Sequence, residues 1–234
     1  MKHLKWLIPV FIIAFCFLGF LIAPNDPEAM DIVNKYAAPS VDFPLGTDQF
    51  GRCELSRLLY GGKVTLGIVL LGGSIVLVLG TLIGLWLGQA NAAKSLAFSS
   101  LLDAVTAIPP LAYLIIFVGI WGNSIPTMLV ALTVSLILRM IKLVKTQTEL
   151  ELDKAYVLCA VSSGASRSRV LFVHILPNII RPLVHFLCLS CAEMIMNISA
   201  FSFIGLTLGD DVIDWGSMLS EGRSMLMTQP SLLF

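Results

Sequence analysis

The chain has 234 residues, of which 57% are hydrophobic and 13% charged, with basic and acidic side chains in equal number, and its mean hydropathy is +0.89. That composition excludes an ordinary soluble domain, and zero net charge gives no ground for a nucleic-acid partner. Runs approaching or exceeding about 20 apolar residues, with no alternating ten-residue pattern, predict an all-α fold, a polytopic bundle of membrane helices.

The first expected span runs from Leu4 to Ala23, behind Lys2 and Lys5, whose charge places the N-terminus in the cytoplasm. Its apolar run is long, and Pro24-Asn25-Asp26-Pro27 offers no small-residue cleavage pattern, so residues 1–23 read as a retained membrane helix. Residues 24–64 turn polar and rich in Pro, Asp and Gly, and are too long for a connector; they predict an ordered extracytoplasmic segment. Within it Leu55, Leu58 and Leu59 share a helical face, with Glu54 and Arg57 on the other side, which predicts a helix lying against the membrane surface.

Residues 65–234 hold the remaining spans. The second, about Thr65 to Gly88, has glycines at 80, 84 and 88, a spacing that lets helix backbones approach closely in lipid. After a short link with Asn91 and Lys94, the third runs from about Ser95 to Trp121. Pro109 and Pro110 interrupt it, predicting a kinked or broken helix. The fourth is about Ile125 to Met140 and the fifth about Ile179 to Leu208. The tail carries Asp210, Asp211, Asp214 and Trp215 without another full-length span.

Counting crossings from a cytoplasmic N-terminus places residues 141–178 inside. The basic side chains agree: Lys2, Lys5, Lys94, Arg139, Lys142, Lys145, Lys154, Arg167, Arg169 and Arg181 fall inside, against Lys35, Arg52, Arg57, Lys63 and Arg223 outside. Inside that loop, Asp153 to Asn178 reads as two short helical patterns around Gly164, with Leu176-Pro177 ending the second before the fifth span begins. A helical pair with a glycine corner is a rigid projection suited to docking.

Two ionisable residues sit deepest in apolar spans, Asp103 and Glu193. An unpaired charge there costs at least a few kcal/mol, so each should face a cavity or a partner, and both are candidates for a translocation pathway. The plainer reading puts Asp103 at the interfacial or cytoplasmic end of the third span, and gives Glu193 a bond to a neighbouring helix that only positions the bundle. His185, Cys188, Cys191 and Met194 step by three along the fifth span, a stripe of soft ligands that is more often ordinary packing than a metal relay. The five cysteines mostly lie in or beside apolar spans and read as buried thiols. Gly62-Lys63-Val64-Thr65 lacks the earlier glycine and the strand of a phosphate-binding loop, and the histidines at 3, 174 and 185 are dispersed. No catalytic pattern arises, so the chain does not read as an enzyme.

Gly164-Ala165-Ser166 followed by His174-Ile175-Leu176-Pro177-Asn178 resembles the EAA loop of bacterial ABC-importer permeases. The resemblance extends to Leu45-Gly46-Thr47-Asp48-Gln49-Phe50-Gly51-Arg52 with Leu55-Ser56-Arg57-Leu58-Leu59-Tyr60-Gly61, to Asp103 with Ile108-Pro109, and to Ser202-Phe203-Ile204-Gly205-Leu206 with Trp215-Gly216-Ser217-Met218-Leu219. Together these resemble the C-type permease subunit of dipeptide, oligopeptide and nickel importers, over Leu4 to Phe234. The resemblance implies an ATPase-coupling loop with Tyr156, Ala160, Gly164, Ala165, Ser166, His174, Leu176 and Pro177. It also implies an extracytoplasmic motif with Gly46, Thr47, Asp48, Gly51, Arg52, Ser56 and Arg57.

The partners it implies are a second permease subunit, two cytoplasmic ATPase subunits that bind ATP and Mg, and an extracytoplasmic substrate-binding lipoprotein or periplasmic protein. The chain itself would bind no cofactor, and would lie among membrane lipid as a multi-pass protein of the bacterial cytoplasmic membrane. This sequence departs from the family at Leu158, where the acidic EAA residue usually stands, and at Cys53, in place of an Asp. Members usually continue through a sixth span, so the resemblance implies C-terminal truncation. Tyr156-Val157-Leu158-Cys159-Ala160 and Met227-Thr228-Gln229-Pro230 look nickel-type, leaving nickel or a metal chelate beside peptide as cargo. The competing readings are an ATPase-independent secondary transporter or channel, which predicts an inverted repeat not seen here, and an inactive truncated remnant.

Overall fold

The computed structural model describes residues 14–89, 92–206, 208–209 and 212–223. The expected start of the first span with Lys2 and Lys5, the link residue Asn91, the Lys94 side chain, Asp210, Asp211 and residues 227–230 lie outside the described residues. Among the described residues the regular structure is helical, apart from an isolated bridge between Thr47 and Cys53. The chain divides into two compact units. The first comprises Met1–Val69, Asn123–Ile125 and Ile195–Phe234, and the second Leu70–Gly122 and Pro126–Met194.

Helix α1, Glu54–Leu87, is 34 residues long. No proline interrupts it, and Glu54 in its first turn suits the positive end of the helix dipole. Residues 54–59 were expected to form a separate helix lying on the membrane surface; they are instead the first turns of α1, and the helix runs through the boundary expected at residue 64. Gly61 and Gly62 do not break it, because the Trp215 side chain packs where their side chains would be.

The third span is broken as expected, into α2 (Ala92–Thr106) and α3 (Pro110–Trp121), bent by 74°. Pro109 restrains the residue before it from helical geometry, whereas Pro110 sits at the start of α3, where no N–H is needed. Tyr113 Oη donates to the Val105 carbonyl at 3.0 Å, pairing an acceptor near the break.

Helix α4, Ile125–Leu152, runs well past the expected end at Met140. Its buried face continues through Ile141, Val144 and Thr148 at helical spacing, and this periodicity outweighs the charges interleaved with it. Within the second unit α1 lies directly against α4. A Cβ built on Gly80 would fall 2.6 Å from Met140 Cγ, one on Gly84 2.5 Å from Val144 Cβ, and one on Gly88 2.6 Å from Thr148 Cβ. Two four-residue ladders are thus in register, which is how small residues substitute for a hydrophobic driving force inside lipid. Leu114, Met128, Leu132, Leu136, Met140 and Val144 complete this core.

Helix α5, Ala155–Ser162, follows a short turn. Leu176-Pro177 was expected to stop the next helix, and it does not. A turn at Arg167–Arg169 passes through a π-helical turn, Val170–Ile175, directly into α6, Leu176–Phe203. The Leu176 N–H reaches back five residues to the Leu171 carbonyl, and the Asn178 side chain donates to the His174 carbonyl at 2.6 Å. The widened turn absorbs the bond that Pro177 cannot make. Helix α6 ends at Phe203, short of the expected Leu208, and α7, Trp215–Arg223, follows. Three described helical runs are long and apolar enough to cross a membrane, and the bent α2–α3 pair makes a fourth.

Candidate functional site

In the second unit, α5 packs on the π-helical turn and leaves one side exposed. Val157 is 1% exposed and pins the helix, while Tyr156, Leu158, Cys159 and Val161 are exposed, Leu158 at 57%. Lys154 starts the helix in an extended conformation, and the Ser163 and Ala165 N–H groups close its end on the Cys159 and Ala160 carbonyls. Gly164 has φ +81°, the left-handed region that a β-branched residue avoids, and open space where a side chain would project. The Ser166 hydroxyl then accepts from the Arg169 N–H, which caps the next turn. Tyr156, Ala160, Gly164, Ala165 and Ser166 therefore belong to one projecting elbow. His174, Leu176 and Pro177 lie further on, in the π-helical turn and the start of α6, and shape the return of the chain.

At the root of the elbow lies Glu151, 7% exposed. Lys154 Nζ donates to its Oε1 at 2.7 Å and Tyr156 Oη to its Oε2 at 2.5 Å. Burial and the neighbouring carboxylate push the Tyr156 phenol up to about 12, against an opposing bond from Asn178. Sequence reading missed Glu151 because Glu149-Leu150-Glu151-Leu152-Asp153 looks like a solvated connector.

Helix α4 also carries a row of cations three residues apart. Arg139 Nη1 donates to both carboxylate oxygens of Glu193 on α6, at 2.9 and 3.2 Å. Lys142 pairs with Asp103 on α2. Lys145, 1% exposed, donates at 2.8 Å to each of Ser95, Ser99 and Glu149. Asp103 and Glu193 thus each have a basic partner. Met194 is buried, Cys191 half-buried and Cys188 exposed, and among the described residues no three His, Cys, Asp or Glu side chains are gathered to hold a metal.

The first unit assembles the run from Gly46 to Arg57. Gly46 and Gly51 turn the chain at positive φ, and the Gly51 backbone lies so near Asp31 that a Cβ would fall 1.7 Å from its carbonyl oxygen. Thr47 Oγ1 accepts from the Ala37 N–H at 2.8 Å and Ser56 Oγ from the Asn25 N–H at 3.0 Å. Asp48 accepts from the Phe50 and Arg52 N–H groups at 2.8 and 2.9 Å and from Arg52 Nε at 2.6 Å, with Arg57 Nε at 3.7 Å. Arg52 and Arg57 both donate to Glu221 Oε2 on α7, at 2.7 and 2.8 Å. Arg57 is 3% exposed, so it lies inside an ion cluster and not on the polar outer face expected for it. Nearby, Trp215 Nε1 donates to the Leu58 carbonyl at 2.9 Å, and buried Asp214 accepts from the Gly216 and Ser217 N–H groups, which starts α7.

Long apolar helices, with a projecting elbow between two of them, define a multi-pass membrane protein. Comparison with known proteins narrows that class. Residues 80–233 match the family described as binding-protein-dependent transport system inner membrane component. A dipeptide transport system permease protein, DppC, of Alkalihalophilus pseudofirmus is 28% identical over 84% of this chain and 65% of its own length. A peptide transport system permease protein, SapC, of Salmonella typhimurium is 33% identical over 92% of this chain and 75% of its own. A nickel transport system permease protein, NikC, of Escherichia coli K12 is 28% identical over 90% and 76%. The chain spans about two thirds to three quarters of the length of these relatives. It belongs to the family of binding-protein-dependent transport inner membrane components. Its relatives are transport permeases and not enzymes.

Proposed function

We propose that this chain is the permease subunit of an ATP-driven ABC importer. Its N-terminus and residues 141–178 lie in the cytoplasm, and α5 is the element that seats in an ATPase subunit. The observation that carries this reading is the exposed apolar side of α5 ending at Gly164. A second permease subunit completes the pathway, and two ATPase subunits bind ATP and Mg. An extracytoplasmic binding lipoprotein or periplasmic protein meets residues 24–64. The cargo is a di- or oligopeptide, or nickel or its chelate, and the binding protein selects it. Closure of the ATPases moves the elbow, and the differential contact between two ATPase states biases the bundle between two arrangements.

Gly164→Val tests this. A β-branched residue cannot hold φ +81° without a cost of about 1–2 kcal/mol, so it re-aims α5. ATPase subunits should co-purify with the wild-type chain in detergent and fall by about tenfold with the variant. Equal retention with intact uptake would remove the docking role.

A further inference from the structure

Glu151 occupies a costly place. It is nearly buried and lies one residue from the end of α4, where the negative end of the helix dipole opposes a carboxylate. What holds it is a fork: one oxygen takes Lys154 from the turn, and the other takes Tyr156 from the first turn of α5. Helix α5, Ala-Tyr-Val-Leu-Cys-Ala-Val-Ser, contains no acidic residue. Its polar tie to α4 is therefore this fork, with Val157 the buried apolar pin beside it. The far end, at Gly164, meets open space. Held at its first turn and packed on the π-helical turn, this short helix is a lever with its fulcrum at Glu151.

The element that the lever would move is α4, and α4 is itself tied on two sides. Arg139 holds Glu193 on α6, and Lys142 holds Asp103 on α2. Displacing the end of α4 therefore pulls on two other helices through charged pairs.

We propose that Glu151 is a positioning residue for transport: through its bond to Tyr156 it makes α5 and α4 move as one body. The proposal rests on α5 being the element that meets the ATPase. The phenol keeps its proton up to about pH 12, so the donor and acceptor of the fork do not exchange roles at physiological pH.

The test uses the assembled complex, this chain with its permease partner, ATPases and binding protein, in proteoliposomes. Labelled dialanine and nickel ion serve as transport probes. In Glu151→Leu, which cannot accept from Tyr156, the ATPases should stay bound in wild-type amount and hydrolyse ATP, while probe carried per ATP falls by about tenfold, and Tyr156→Phe should lower probe carried per ATP to a similar degree. The double variant should fall no further than the worse single, since both remove the same bond. A second readout needs no cargo. With the other cysteines replaced, a nitroxide on the exposed Cys159 should gain mobility in either variant.

Unchanged nitroxide mobility, unchanged transport per ATP, or a double variant equal to the product of the singles each overturns the proposal. So does loss of the ATPases in Glu151→Leu, which would make the fork a docking feature. If the wild-type chain retains no ATPase, the docking reading fails and this one falls with it.

Discussion

Replacing Arg57 with methionine should lower the stability of the folded chain by about 3 kcal/mol or more. The guanidinium is 3% exposed and sits between Asp48, itself 5% exposed, and Glu221. Methionine fills much of the volume but takes one of the two guanidinium groups away from Asp48 and Glu221. Removing one member of a buried charge cluster costs far more than the cluster contributes as a whole, because the remaining charges stay desolvated. Glu221→Gln should cost only about 1 kcal/mol, since that side chain is 36% exposed and glutamine still accepts from both arginines. Thermal unfolding in detergent checks both. An Arg57→Met protein that melts with the wild type would show that the cluster is not needed to fix α7 to the start of α1.

The second large effect belongs to the α1–α4 seam. In Gly84→Ala the new methyl falls 2.5 Å from Val144 Cβ and 2.9 Å from the Ile141 carbonyl oxygen. Neither is the end of a flexible side chain, so the helices must separate, at a cost of about 1–3 kcal/mol. Gly119→Ala is the control: its Cβ meets nothing within 4 Å. Alanine also favours a helix over glycine by about 1 kcal/mol, so that variant should equal or exceed the wild type in unfolding temperature. If Gly84→Ala behaves like Gly119→Ala, the close approach of α1 and α4 is wrong.

That seam was legible from spacing alone, because glycines four apart fall on one helix face whatever the rest of the chain does. The break at Pro109-Pro110 was legible for a similar reason: proline geometry is local. The ion cluster was not, since Arg57 and Glu221 are 164 residues apart and nothing in either neighbourhood announces the other.

The boundaries failed where a local rule met a nonlocal compensation. Residues 54–59 read as a surface helix, yet with Trp215 packed beside Gly61 and Gly62 they open the long α1. Leu176-Pro177 looked like a stop, and the π-helical turn at Val170–Ile175 carried the chain through. Of the candidate site, Gly164 and its neighbours could be read because a glycine corner between amphipathic patterns is a sequence feature. Glu151 could not, because its meaning lies in the two donors that the fold brings to it.

If α5 projects into the cytoplasm, Cys159 reports it from its native position. This thiol is exposed on α5. With Cys188, also exposed, replaced by serine, a membrane-impermeant maleimide should label Cys159 in inside-out vesicles and not in intact spheroplasts. ATPase subunits bound to the vesicles should protect it. Labelling of Cys159 in intact spheroplasts would place the elbow on the outer face and contradict the account.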